Sequence, residues 1–126
     1  MIERKFDEAT GIILVRGAGL YSFMDIEQHY VALRALIERV RSQGKPVRIL
    51  SDVTHGVRQA GWVEDYILDQ MTQMFEAGDR IAFLAANEPD RAHIQSIGGL
   101  LVRSFTSRSA AEQWLAAPEA AGRQEA

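Results

Sequence analysis

The chain contains no cysteine, so disulfide bonds, thiolate nucleophiles and cysteine-ligated zinc or iron–sulfur sites are excluded. It has no apolar run near the roughly 20 residues of a membrane-spanning helix, and we predict no membrane span. Positive charge is not in excess, because 14 Lys and Arg face 17 Asp and Glu, giving a net charge of −3. Nucleic-acid binding normally requires a concentrated basic face, so we expect no nucleic-acid partner.

What remains is the composition of an ordinary globular domain. The 126 residues are 47% hydrophobic and 25% charged, which suits one domain with one core. The first residues enter a strand-like pattern without an apolar signal segment, so a cytoplasmic location is expected. We predict a single domain over residues 1–116 and a flexible tail over 117–126, where the sequence is small, polar and interrupted by proline.

The apolar pattern alternates between strand and helix periods. Two short runs separated by Gly11 predict a β-hairpin, and a capping box of Ser22 and Asp25 opens a long helix that stops near Gly44. Beyond it the pattern predicts strands at 47–53, 81–86 and 102–105, and helices at about 62–77, after Asn87, and after Ser107 or Ser109 with Glu112. The sequence therefore predicts an α/β fold with a mixed, mostly parallel sheet, an N-terminal hairpin and about four helices.

Three local segments of the sequence indicate a resemblance to a known protein family. They are the strand Ile49-Leu50-Ser51-Asp52, the arginine-led strand Arg80-Ile81-Ala82-Phe83, and an ending with Phe105, Ala110-Ala111-Glu112 and Trp114-Leu115. Together with the element order, they resemble the SpoIIAA-like group of STAS-domain proteins over about residues 2–116. The resemblance implies a compact sheet with helices mainly on one side. It also implies a link to the CRAL-TRIO lipid-binding domains, and hence an apolar pocket.

The better-known relatives are anti-sigma-factor antagonists that are regulated by phosphorylation of a serine. That serine stands at the start of the helix after the third strand, where backbone N–H groups favour an anion. The corresponding segment here, Arg58-Gln59-Ala60-Gly61-Trp62, carries no hydroxyl group. We therefore do not transfer the phosphorylation switch to this chain.

The loop after the third strand is the candidate ligand or partner site, because ligands of open α/β sheets bind beyond the carboxyl ends of the strands. Asp52 and His55 could pair as a base and its orienting group, or Asp52 could simply accept backbone hydrogen bonds in a solvated loop. No nucleophile or oxyanion donor set accompanies them, so we predict no catalytic residue and no cofactor. The candidate residues are Asp52, Thr54, His55, Arg58 and Gln59.

The two other histidines do not predict a metal site. His29 and His93 lie on different predicted helices, and neither has a second ligand at the spacing that metal binding requires. We expect His29 beside the apolar stripe of the first helix and His93 facing solvent.

The helix at 62–77 carries the strongest indication of binding. Its apolar side chains cover an arc of roughly 200°, which is more than packing on a sheet needs. The surplus could line a pocket or meet another chain, or the helix could be wedged within its own core. The candidate interface or pocket residues are Tyr66, Ile67, Met71, Met74 and Phe75.

Two functional hypotheses follow. The first is a non-enzymatic regulatory or protein-interaction module, homodimeric through the helix at 62–77 and neighbouring strands, with a protein or itself as partner. The alternative is a carrier of a small apolar or lipid-like ligand, held between that helix and the sheet. An enzyme that uses Asp52, His55 and Arg58 is the least favoured reading.

Overall fold

The structure is a computed structural model that describes residues 1–118, so residues 119–126 of the predicted tail lie outside it. Within the described residues, no helix is long and apolar enough to cross a membrane. The elements in chain order are β1 (Ile2–Asp7), β2 (Ile12–Gly17), α1 (Phe23–Ser42), β3 (Arg48–Asp52), α2 (Gly61–Met74), β4 (Arg80–Leu84), α3 (Glu88–Gly98), a 3₁₀ turn (Gly99–Leu101), β5 (Arg103–Phe105) and α4 (Arg108–Ala116).

The five strands form one sheet in the order β1-β2-β3-β4-β5. β1 and β2 are antiparallel, and every other neighbouring pair is parallel. The hairpin turn needs a glycine because Gly11 has a φ of +75°, a conformation that other residues rarely adopt. The predicted mixed sheet with an N-terminal hairpin and four helices is confirmed.

The central strands are apolar on both faces, so the sheet must be covered on both sides. The helices α1, α2 and α3 cover one face, where the core includes Ile13, Ile49 and Ile81. The short helix α4 covers the opposite face, where Leu50 and Ala82 are buried together with Ile12, Leu84, Ala111 and Leu115. This arrangement agrees with the expectation of helices packed mainly on one side.

The helix ends follow their capping chemistry, with two corrections to the predicted boundaries. The capping box of Ser22 and Asp25 is present, as predicted. α2 ends at Met74, three residues early, because Phe75 turns to an extended backbone with ψ of 135°. α4 is capped by Ser107, whose hydroxyl accepts from the Ala110 N–H at 3.2 Å. The Ser109–Glu112 capping box was wrong, since the Glu112 side chain pairs instead with Arg108, at 3.3 Å.

Two arginines at the start of neighbouring strands attach α4 to the sheet. The buried Arg48 donates from Nε to the Leu115 carbonyl at 3.1 Å and from Nη1 to the Gly78 carbonyl at 2.7 Å. Arg80 donates to the Trp114 carbonyl at 2.6 Å and lies 5.5 Å from the centre of the Trp114 ring. Cations are favoured at a helix C-terminus, where carbonyl groups lack helical partners.

His29 is buried rather than at the edge of the apolar stripe, with only 6% of its surface exposed. Its Nδ1 lies 3.2 Å from Nη1 of Arg4, and because a guanidinium can only donate, Nδ1 must be the acceptor. Burial, together with the charge of Arg4, lowers the pKa of His29 to about 4. The folded protein therefore holds this imidazole in its neutral form.

We expect His29 to make folding sensitive to mild acid. As the pH falls below the ordinary histidine pKa of 6.5, His29 becomes protonated in the unfolded chain. In the folded chain it stays neutral until about pH 4. The contribution of His29 to the free energy of unfolding is therefore fully present above pH 6.5. The free energy of unfolding falls by about 3 kcal/mol as the pH drops from 6.5 to about 4. Urea unfolding of His29→Gln, which keeps an acceptor for Arg4, should show a flatter pH profile than the native protein. Equal profiles for the variant and the native protein would contradict the prediction.

Candidate functional site

A cavity of about 170 Å³ lies between α2, α3, the segment 53–59 after β3, and the face of the sheet that these helices cover. It opens to solvent beyond the carboxyl ends of β3 and β4, the edge at which parallel sheets bind ligands. The Tyr21 side chain, just before α1, completes the wall. The cavity thus combines residues from five separate parts of the chain.

The interior of this cavity is apolar. α2, α3 and β4 each contribute large side chains, and the only sulfur in the lining is the thioether of Met71 among the described residues. Such surfaces favour an apolar occupant over water, because water needs two or more polar partners to be held. The apolar lining consists of Val53, Val57, Ile67, Met71, Phe83, Ile94, Ile97 and Val102.

Charged side chains surround the mouth of the cavity in two pairs. Glu64 of α2 and His93 of α3 are joined at 2.7 Å between Oε2 and Nε2, and both side chains are about three-quarters buried. Arg58 and Asp90 approach only to 4.0 Å, and each is about half exposed. The first pair links the two helices across the opening, whereas the second is a loose surface contact of the kind that contributes little stability.

Gln59 holds the segment that forms one side of the mouth. Its side-chain oxygen accepts from the Tyr21 N–H at 3.0 Å, and its amide nitrogen donates to the carbonyls of Gly19 and Val57, each at 2.9 Å. One side chain therefore joins the loop after β3 to the loop before α1. This is a positioning role, since the polar groups of Gln59 are directed to the backbone.

The structure divides the five predicted loop residues between two places. Arg58 and Gln59 lie at the cavity, whereas Asp52, Thr54 and His55 lie outside its lining. The Asp52 carboxylate accepts from the Thr54 N–H at 2.9 Å and from its hydroxyl at 2.6 Å. Burial acts to raise the pKa of Asp52, but these bonds and the nearby positive charge of Arg108 lower it overall. Asp52 thus accepts hydrogen bonds within its own loop, the alternative to pairing with His55. Among the described residues it makes no hydrogen bond to His55.

The five predicted residues of α2 are also divided. Ile67 and Met71 line the cavity. Tyr66, Met74 and Phe75 are partly buried against the core of the same chain instead. Most of the wide apolar arc of α2 is therefore used within the molecule, and the exposed apolar residue of this helix is Trp62.

Sequence reasoning missed the contribution of α3. His93 was expected to face solvent, but its side chain is only 29% exposed because Glu64 binds it across the cavity mouth. Ile94 and Ile97 are the apolar residues that α3 presents to the cavity. Two features of the sequence could have indicated this contribution. Ile94 and Ile97 share one face of α3 next to His93, and Glu64 interrupts the apolar arc of α2.

The back of the cavity depends on a close approach between α3 and the strand that follows it. A Cβ atom added to Gly98 would lie 2.3 Å from Cγ2 of Val102, a core residue. Gln95 fixes the same region by donating to the Val102 carbonyl at 2.9 Å and accepting from the Ser104 N–H at 2.8 Å. The glycine is thus required by packing rather than by backbone conformation.

Comparison with known proteins shows the fold and no more. The chain matches no family profile and no curated protein. Among solved structures it is similar to an uncharacterised protein of the DUF3478 family with a SpoIIAA-like fold from Shewanella loihica PV-4. The TM-score is 0.65 at 15% identity, with 91% of this chain and 92% of that chain covered. The chain therefore has a SpoIIAA-like fold, and the predicted resemblance is confirmed at that level.

We expect Gly98→Ala to destabilise the protein by about 1–2 kcal/mol, because the clash with Val102 outweighs the better helix propensity of alanine. Gly61→Ala is the matched control, since a Cβ there meets nothing within 4 Å. Urea unfolding should show the control to be at least as stable as the native protein. Equal stability of the two variants would mean that α3 does not pack closely at Gly98.

Proposed function

We propose that this protein is a non-enzymatic, SpoIIAA-like module that binds a small apolar molecule in the cavity between α2, α3 and the sheet. The observation that supports this is the apolar cavity of about 170 Å³, open at the edge where ligands of parallel sheets bind. A buried apolar cavity of about 150 Å³ in another protein is enough to hold benzene. The occupant proposed here is therefore of the size of one aromatic ring or a short aliphatic chain.

The lining argues for binding rather than for chemistry. Its described residues include no serine, threonine, cysteine or lysine, so a serine-, threonine- or cysteine-type nucleophile and a Schiff-base lysine are absent from the cavity wall. Glu64 and His93 are polar and adjacent, but they bind each other across the mouth. Their contact gives the opening a fixed polar edge, which suits orientation of a ligand.

Filling the cavity should weaken binding without unfolding the chain. We expect 2-phenylethanol to bind the native protein, with nuclear magnetic resonance shifts concentrated in residues 56–59, 64–71 and 90–98. In Ile97→Trp the indole would occupy the cavity, and affinity should fall by roughly tenfold or more. Val31→Trp, at a 64% exposed position on α1, places the same side chain outside the lining and should bind normally. The proposal fails if the native protein shows no saturable shifts in these segments.

A second candidate function, interaction with a protein partner or with a second copy, has its own support. Phe23 and Trp62 are each about half exposed, and their ring centres lie 6.4 Å apart at the starts of α1 and α2. Leu20, three residues before Phe23, and Met24, the residue after it, are 73% and 63% exposed. We call these four residues the aromatic patch. Exposed apolar clusters of this kind favour protein contacts.

If the protein is a homodimer through the aromatic patch, Phe23→Ser combined with Trp62→Ser should convert it to a monomer. Both side chains are half exposed, so the variant should keep its fold, as its circular dichroism spectrum would verify. Leu100→Ser is the control, because Leu100 is fully exposed outside the patch. Sedimentation equilibrium over a wide concentration range gives the masses. A native protein that stays monomeric throughout would eliminate the homodimer.

A further inference from the structure

The polar side chains at the cavity mouth indicate what the exposed end of the ligand carries. The Glu64 carboxylate is about three-quarters buried and is oriented by His93 through Oε2. Its other oxygen, Oε1, accepts no hydrogen bond from the described residues. A largely buried, oriented carboxylate with one free oxygen is a ready acceptor for a donor on a bound molecule.

The charges around Glu64 distinguish between possible head groups. The lining contains two carboxylates, of Glu64 and Asp90, against one guanidinium and one imidazole. Arg58 is 57% exposed and already faces Asp90 at 4.0 Å, so its charge is partly offset and screened before an anionic head arrives. A cationic head has a partner that an anionic head lacks, because the free oxygen of the largely buried Glu64 carboxylate can accept its N–H.

We propose that the ligand is an apolar amine, with one ring or a short chain in the cavity and a protonated amino group at the mouth against Glu64. This inference rests on the proposed function, since it assigns the head group of the molecule that the cavity holds. The apolar body gives affinity through Ile67, Phe83 and Ile94, and the amino group gives orientation and selectivity. No bond is made or broken in this interaction.

Three probes with the same phenylethyl body and different head groups test the assignment in the unmodified protein. They are 2-phenylethylamine, which is cationic, 2-phenylethanol, which is neutral, and 3-phenylpropionate, which is anionic. Affinities are measured by the nuclear magnetic resonance titration described above. We expect the amine to bind about tenfold more tightly than the alcohol, as a charge-assisted hydrogen bond predicts, and the anion to bind most weakly.

Glu64→Gln then tests whether this carboxylate is responsible. It should remove most of the preference for the amine while the alcohol binds as before. Glu38→Gln changes the net charge equally at an exposed position on α1 outside the lining, so it should leave the preference intact. Melting temperatures verify that both variants fold.

Each outcome has one meaning. Equal affinities for the amine and the alcohol, or tightest binding of the anion, would overturn the head-group assignment and leave the proposed function standing. A preference for the amine that survives in Glu64→Gln, or that falls equally in Glu38→Gln, would also overturn it, because the attraction would then not come specifically from Glu64. Failure of all three probes to bind in the cavity would remove the proposed function itself.

Discussion

The requirement to cover a sheet whose central strands are apolar on both faces determines how the helices are placed. Along β2, β3 and β4, successive side chains point to opposite faces, and both sets are buried. Among the described residues, one face is covered by the short helix α4 alone, held there by Arg48 and Arg80. Three helices must therefore share the other face. α1 packs along the hairpin side, α3 packs on β4 and β5, and α2 contacts both α1 and α3. The cavity lies between α2 and α3.

The cavity between α2 and α3 is bounded by different contacts at its two ends. At one end, Gly98 packs against Val102, just before β5, and Gln95 hydrogen-bonds to the carbonyl of the same residue. This packing leaves no room for a side chain at position 98, the C-terminal end of α3. Nearer the mouth, the contact between the helices is the hydrogen bond of Glu64 and His93, which spans the gap rather than filling it. Close packing at one end and a polar link at the other leave an apolar space between them. The same geometry explains why the mouth is polar and the interior is not.

Local rules predicted much of this fold from the sequence. The hairpin, the Ser22–Asp25 capping box and the alternation of strands and helices along the chain follow from short-range patterns, and the structure confirms them. The cavity depends on which face of the sheet each side chain occupies, and the sequence indicates this less clearly than it indicates the elements themselves. The strand 81–86 is apolar throughout, so its alternation is hidden. Phe83 faces the cavity, whereas Ala82 lies on the α4 side. The pairing of Glu64 with His93 joins residues 29 positions apart on separate helices, and no spacing rule connects them.

The cavity and the aromatic patch are joined by the same short segment of chain, so the two candidate functions are not structurally independent. Gln59 binds the backbone of Gly19 and Tyr21, the residues on either side of Leu20, while the segment 56–59 lines the mouth. Phe23 and Trp62 stand at the ends of the two loops that Gln59 connects, and Phe23 also contacts Tyr66 edge-on, with the ring centres 5.8 Å apart. Displacement of the loop after β3 would therefore strain the hydrogen bonds of 2.9–3.0 Å by which Gln59 holds the segment just before Phe23. Any differential affinity for two positions of this loop would appear at both sites, since such coupling is reciprocal.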